Sequence, residues 1–434
     1  MPKSNFTKRV LAGLTAGTTA ALLSGCTVDH PKVTPSARAS TAAFAASHDD
    51  LSRQVAPRVS SSNMASNSQL ATDFLELGFE LESGRPLAQF TRFEGPISVV
   101  LTGKVPARAP SELGTLISRL QREAGIPISA KTGNSNRITV EFVPRREMRS
   151  LVPSVACFVT PNVTSWEEYR KTRRSAVSDW TRVKQRTRAA VFIPADVSAQ
   201  ELHDCLNEEI SQGLGPLNDL YRIPDSVWND DNFVSTLTRH DMTILRAWYD
   251  PALHSGMSQP EVMAALPAVL SRINPSGGQF SRVLSDPTPR SYEDAVNRAM
   301  ASGGAGRRQA AARQAIQIAA AQGWTDTRMG FAWYLLGRLS PNDPNQALQA
   351  YLKASEYFAI TPRAYMQTAH TDMQLATFAL GSGRADQAIL LSTRGLQNSS
   401  ASGNGKLAYE LQTIRKQAQK TLGQSGGAMM AFAE

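Results

Sequence analysis

Ser198-Ala-Gln-Glu-Leu-His-Asp-Cys-Leu-Asn-Glu-Glu-Ile-Ser-Gln-Gly-Leu-Gly-Pro-Leu-Asn-Asp219 is the stretch whose reading decides the fold. Ser198 followed three residues later by Glu201 forms a capping box, so a helix starts there. Leu202, Leu206, Ile210 and Leu214 recur every four residues and give that helix a single apolar stripe. Gly215 and Pro216 end it. Glycine tolerates a left-handed turn at a helix end, and proline cannot continue the helix.

Residues 208–219 also carry a spacing that resembles the His-Glu-x-x-His-x-x-Gly-x-x-His helix of metzincin zinc peptidases. Glu209 stands at the place of the general base, Gly215 at the bend and Asp219 at the trailing acid. The three metal-ligand positions hold Glu208, Gln212 and Asn218. The run Glu-Glu-x-x-Gln-x-Leu-Gly-x-x-Asn-Asp is similar to that of an uncharacterised bacterial lipoprotein family with a degenerate zincin domain, followed by tetratricopeptide-like repeats. This resemblance implies a zincin-like fold without its zinc ligands, and it brings no assigned activity. The alternative is an ordinary buried helix that happens to end in glycine.

Working outward, the N-terminus gives the most specific signal. Lys3, Lys8 and Arg9 precede a short apolar run, Val10 to Leu23, too short to span a bilayer. Leu23-Ser24-Gly25-Cys26 reads as a lipobox, with Cys26 as the lipidated residue after removal of 1–25. Thr27 after Cys26 resembles the signal for outer-membrane delivery, which places the body in the periplasm. Several acyl chains on one cysteine anchor firmly, at about 0.8 kcal/mol per buried methylene. The formal charge of +9 loses three units with the signal, so it gives no argument for nucleic acid. Cys157 and Cys205 then remain as an even pair in an oxidising compartment. They read as a disulfide or as two separate buried thiols.

Residues 26–69 are rich in Ser, Ala, Pro and Asn and read as a flexible tether, with a short helix at 39–50. With 434 residues, two folded domains are expected. The first, an α+β domain of mixed sheet plus helices, spans 70–273 and begins near Asp73. Residues 74–82 alternate as a strand or short helix. Residues 97–101 form a strand, and Ser111 caps a helix to Glu123 with Leu113, Leu116, Ile117 and Leu120 on one face. Residues 126–129 are extended, and 137–143 and 157–159 form strands. Residues 166–188 read as a basic helix or helical insertion carrying Arg170, Lys171, Arg173, Arg174, Arg182, Lys184, Arg186 and Arg188. That surface suits anionic lipid or an acidic partner, or it is a solvated face with local ion pairs. Residues 188–194 give the strand before the central helix, which in a zincin is the edge strand bordering the cleft. Trp228 lies where the resemblance places a methionine-bearing turn beneath the metal. Thr238 caps a helix running to Tyr249 with Met242, Leu245 and Trp248 inward, and 260–273 is a helix interrupted at Pro267.

Residues 274–289 read as a linker. From 290 to 423 the composition shifts to Ala, Gln, Arg and Leu at helical spacing. Trp333-x-x-Leu336-Gly337, with Ala347, Tyr351 and Ala354, resembles a tetratricopeptide repeat. Leu380-Gly381 with Ala388 to Gly395 is a weaker copy, 292–321 a cap-like pair and 407–422 a closing helix; a plain helical bundle is the other reading. Residues 424–434 read as a disordered tail.

The chemistry is limited by residue type. Neutral amides bind zinc poorly, so no cofactor is expected at Glu208, Gln212 and Asn218. They read as a hydrogen-bonded polar cluster in the metal's place. The candidate catalytic groups are the carboxylates Glu209 and Asp219. His203, His240 and His254 lack a partner at ligand spacing. There is no phosphate-binding glycine loop, no Gly-x-Ser-x-Gly and no Cys–His constellation. The expectation is a lipid-anchored pseudo-peptidase that binds a protein or peptide partner through its helical repeats or its former cleft. The alternative is an atypical hydrolase built around Glu208, Glu209 and Asp219.

Overall fold

Ile97–Gly103 (β1), Asn136–Val143 (β3), whose apolar residues alternate, and Arg188–Pro194 (β5), a continuous apolar run, build the sheet at the centre of the computed structural model, which describes residues 65–153, 155–282, 286–399 and 405–431. Ile128–Ser129 (β2) and Phe158–Pro161 (β4) complete it. The order is β2-β1-β3-β5-β4. Only β4 runs antiparallel to its neighbour. Ala189, Val191 and Ile193 of β5 enter the main core, while Ala190 and Phe192 enter a smaller one with Val143, Met148, Val163 and Trp166. Both faces of the sheet are thus covered, as parallel strands require. The strand before the central helix is therefore an inner strand. Antiparallel β4 takes the edge that had been expected of β5, because it pairs with β5 along its outer side.

Helices pack on the main-core face. Ala109–Ala124 (α2) buries the expected Leu113, Leu116, Ile117 and Leu120, and Gly125 ends it at φ +71. Its start differs from expectation: Arg108 is the cap, Pro110 occupies the first turn and the Ser111 hydroxyl donates to the Arg108 carbonyl. Ala199–Leu214 (α5) starts at the capping box of Ser198 and Glu201 and buries Leu202, Leu206, Ile210 and Leu214. Arg239–Trp248 (α6) starts at a second box of Thr238 and Asp241. Gln259–Ile273 (α7) runs through Pro267 without a break. The Cys157–Cys205 disulfide ties α5 to the segment leading into β4.

Three other expectations are corrected here. The body begins earlier than residue 70: Asn67–Phe79 is a helix (α1) that buries Asn67 and Ser68. It closes on residues expected in the linker, with the Asn274 amide donating to the Ala65 carbonyl and the Asn67 side chain. Residues 166–188 form a short helix, Trp166–Thr172 (α4), and two single turns, because Trp166 and Val183 turn inward and break a continuous face. Gly215 has φ −166 and is not left-handed. A Cβ there would lie 2.6 Å from the Trp248 ring, so glycine is required by packing. The short helix Arg145–Leu151 (α3) was not expected. Cys26, the signal, the tether up to residue 64 and the 39–50 helix lie outside the described residues.

The second half is all helical: Arg290–Met300 (α8), Ala305–Ala321 (α9), Thr327–Arg338 (α10), Pro344–Ile360 (α11), Tyr365–Gly381 (α12), Ala385–Ser399 (α13) and Gly405–Ala431 (α14). Successive helices pack as antiparallel neighbours. The closest approaches use glycine: a Cβ on Gly337 would sit 2.9 Å from the Tyr351 ring, and one on Gly330 would sit 2.5 Å from Phe358. The backbone of 424–431, expected as a disordered tail, continues α14. The buried cluster runs without a gap from the sheet domain into these helices.

Candidate functional site

Helix α5 sets the site because its last turn is fixed from outside. It has no basic residue there, so its terminal carbonyls need donors from elsewhere. Arg186 supplies them. Its guanidinium donates to the carbonyls of Gln212 (2.7 Å), Gly213 (2.9 Å) and Gly215 and to the Thr91 hydroxyl. It packs 4.8 Å from the Trp180 ring and is only 2% exposed. Arg186 therefore belongs to the interior, not to the basic surface expected over 166–188. From below, the Trp228 indole donates to the Ser211 hydroxyl of α5 at 3.0 Å and is fully buried.

With α5 held, Glu208, Gln212 and Asp219 gather around one residue that the sequence did not single out, Glu82. The Gln212 amide donates to the Glu82 carboxyl at 3.3 Å. Asp219 lies near Glu82, whose charge adds to burial in raising the Asp219 carboxyl. Asn218 turns aside. Its amide donates to the Glu76 carbonyl on α1, and its oxygen accepts from the Asp219 backbone N–H. Glu209 is buried close to Val159 of β4. Its Oε2 is buried without a hydrogen-bond partner among the described residues, as is Asp219 Oδ1.

A small cleft opens beside α5, lined by Asp204, Glu208, Val227, Asn229, Asp230, Asn232, Val234 and Ser235. Asp230 accepts the Tyr221 hydroxyl at 2.8 Å. Burial, then the nearby Asp230 and Glu82 charges, push Glu208 up to about 8. Burial and then Asp230 push Glu82 up to about 7, and burial lifts Asp204 to about 6. Burial and crowded carboxylates hold Glu209 and Asp219 well above the carboxylate range, and burial raises Asp230. Clustered carboxyls removed from water bind protons near neutrality because like charges cannot all ionise together. Such a group can donate protons or neutralise a cation. Among the described residues, no three His, Cys, Asp or Glu side chains converge as a metal site.

The sequence reading therefore found Glu208, Glu209, Gln212 and Asp219 in one neighbourhood, with Asn218 at its margin. It missed Glu82, Asp204, Asp230 and Arg186. The run Asn229-Asp-Asp-Asn232 between apolar neighbours was the available signal for Asp230; Glu82 and Arg186 had none. The histidines serve structure: His203 meets Thr236 at 2.8 Å and Glu112 at 3.3 Å, and buried His240 lies 3.4 Å from Asp73.

Residues 67–268 match the model of a family described as a protein of unknown function, DUF2927. No curated protein and no solved structure matches the chain. The matched region ends within α7, so it takes in the sheet, α5 and the acidic cleft and leaves out the helical half.

Proposed function

We propose that this chain is a lipid-anchored, periplasm-facing pseudo-peptidase of the outer membrane. It acts as a non-catalytic binding protein of the cell envelope. One observation carries the reading: the amides at two of the three ligand positions are committed as donors, Gln212 to Glu82 and Asn218 to the Glu76 carbonyl. Amide oxygens bind zinc poorly and that of Asn218 already accepts the Asp219 N–H, so Glu208 and Gln212 leave at most a weak oxygen-only pair. Supporting the zincin-like comparison are the four parallel strands with one antiparallel edge strand ahead of α5, and Trp228 packed beneath it. Supporting the tetratricopeptide-like comparison are the helix pairs α8/α9, α10/α11 and α12/α13, closed by α14, and the Gly337–Tyr351 approach. Metal analysis of protein purified without chelator tests the proposal. Substoichiometric zinc, unchanged by Glu208→Ala, is expected; stoichiometric zinc abolished by that substitution overturns it. Incorporation of radiolabelled palmitate, lost in Cys26→Ser, tests the anchor.

The raised carboxyls favour a second reading. Glu208 at about 8 and Glu82 at about 7 hold protons near neutral pH, as a general acid must. A hydrolase acting on peptide or cell-wall material would lose turnover in Glu208→Gln while keeping its fold. Absence of any such turnover in the unaltered chain excludes this reading.

A further inference from the structure

The helices of the second half bury polar residues against the segment between α5 and α6: Gln367 is fully buried and His370 nearly so. What covers them is this chain's own segment between α5 and α6. Phe233 enters between helices, with ring centroids 4.9 Å from Tyr334, 5.8 Å from Phe331, 6.1 Å from Phe358 and 5.0 Å from His370. Tyr221 packs edge-on against Tyr292 and stacks near Phe331. Polar contacts fix the register. The Gln367 amide donates to the Pro224 carbonyl at 2.7 Å and to the Asp231 carboxyl at 2.9 Å. The Arg363 guanidinium meets Asp225 at 2.9 Å. Arg363 and Asn232, one on each side, have φ +67 and +59. Asparagine enters this left-handed region readily, but for Arg363 it costs energy and persists only where the surroundings impose it.

The same segment lines the acidic cleft. Asn229, Asp230, Asn232 and Val234 face the cleft, while Asp231 and Phe233, interleaved with them, face the helices. One strip of chain is shared by two sites, so neither can move without the other. We propose that the inner face of the helical region is a built-in receptor for this chain's own residues 221–233, and that their engagement sets the shape of the acidic cleft. An external peptide would find this face already occupied by an acidic-aromatic ligand of matching chemistry. The inference holds whether the cleft binds or catalyses.

The test uses the full chain and the variants Phe233→Ala and Gln367→Ala, with Tyr409→Ala, which is 70% exposed on α14, as the control. Hydrogen exchange is followed over 225–237, and the Glu208 and Asp230 carboxyls are titrated by carbon NMR. Truncating Phe233 should raise exchange in that segment roughly a hundredfold, while β1, β3 and β5 stay protected. It should also admit water and lower both titrations by about one pH unit. Gln367→Ala should move both readouts in the same direction by less, and it decides the matter if Phe233→Ala does not fold. Unchanged exchange over 225–237 overturns the receptor. Faster exchange with unchanged titrations overturns the link to the cleft.

Discussion

Replacing Arg186 by Met tests how the site is held. The substitution keeps the aliphatic bulk against Trp180 and deletes every donor. Three carbonyls at the end of α5 then lose their partner inside the protein. Charge-assisted bonds contribute about 1.5 kcal/mol each at the low end, so the loss is about 4–5 kcal/mol. Against this stands relief from burying a guanidinium that no carboxylate pairs among the described residues, on the order of 1–2 kcal/mol. Its position is unfavourable enough that burial lowers the Arg186 pKa to about 10. The net expectation is a loss of about 3 kcal/mol, or about 1 M in the urea midpoint for a slope near 3 kcal/mol/M. Arg186→Lys should fall between, because one ammonium cannot fork across three carbonyls. Urea unfolding followed by circular dichroism measures both. If Arg186→Met costs less than about 1 kcal/mol, the three bonds do not hold the helix end and the account of the site fails.

Other expectations follow from the same structure. Gly215→Ala should destabilise by about 1–3 kcal/mol by driving a methyl into Trp248; a neutral effect in thermal unfolding would show that the ring moves aside freely. Replacing Cys157 and Cys205 together by Ser opens a closure of 48 residues, and the loop-entropy relation gives a cost of about 4 kcal/mol, read as a lowered denaturation midpoint. Asp231, pushed by burial to about 7 from an ordinary 3.8, has a folded pKa above its unfolded one. Its favourable contribution is complete below about pH 4 and is lost as pH rises through about 7. The cleft carboxyls Glu82 and Glu208, raised to about 7 and about 8, act in the same direction, so thermal stability should fall as pH rises from about 4 to about 8. Asp231→Asn should flatten that fall, and a stability that instead rises with pH would refute the sign.

Much of the framework was legible because it rests on local rules. The capping box at Ser198, the cap at Thr238, the four-residue stripe of α5 and the apolar patterns of β3 and β5 each involve neighbours a few residues apart. The paired helices after residue 290 were legible for the same reason, since small residues mark where helices meet. The Cys157–Cys205 disulfide was one of two outcomes the sequence left open, and the structure shows it formed. A local rule also misled where several outcomes share one pattern. Gly215 reads as a left-handed stop, but the residue that demands glycine there is Trp248, thirty-three positions away.

The sequence by itself determined the elements, their order and most of their buried faces, because hydrophobic periodicity and caps act within a turn or a strand. Only the tertiary structure decided that Arg186 turns inward to close α5, that Glu82 and Asp230 join Glu208, and that Phe233 fills the helical face. Those outcomes depend on which groups are buried beside which. Burial between segments that lie from a few dozen to more than a hundred residues apart leaves no trace in spacing.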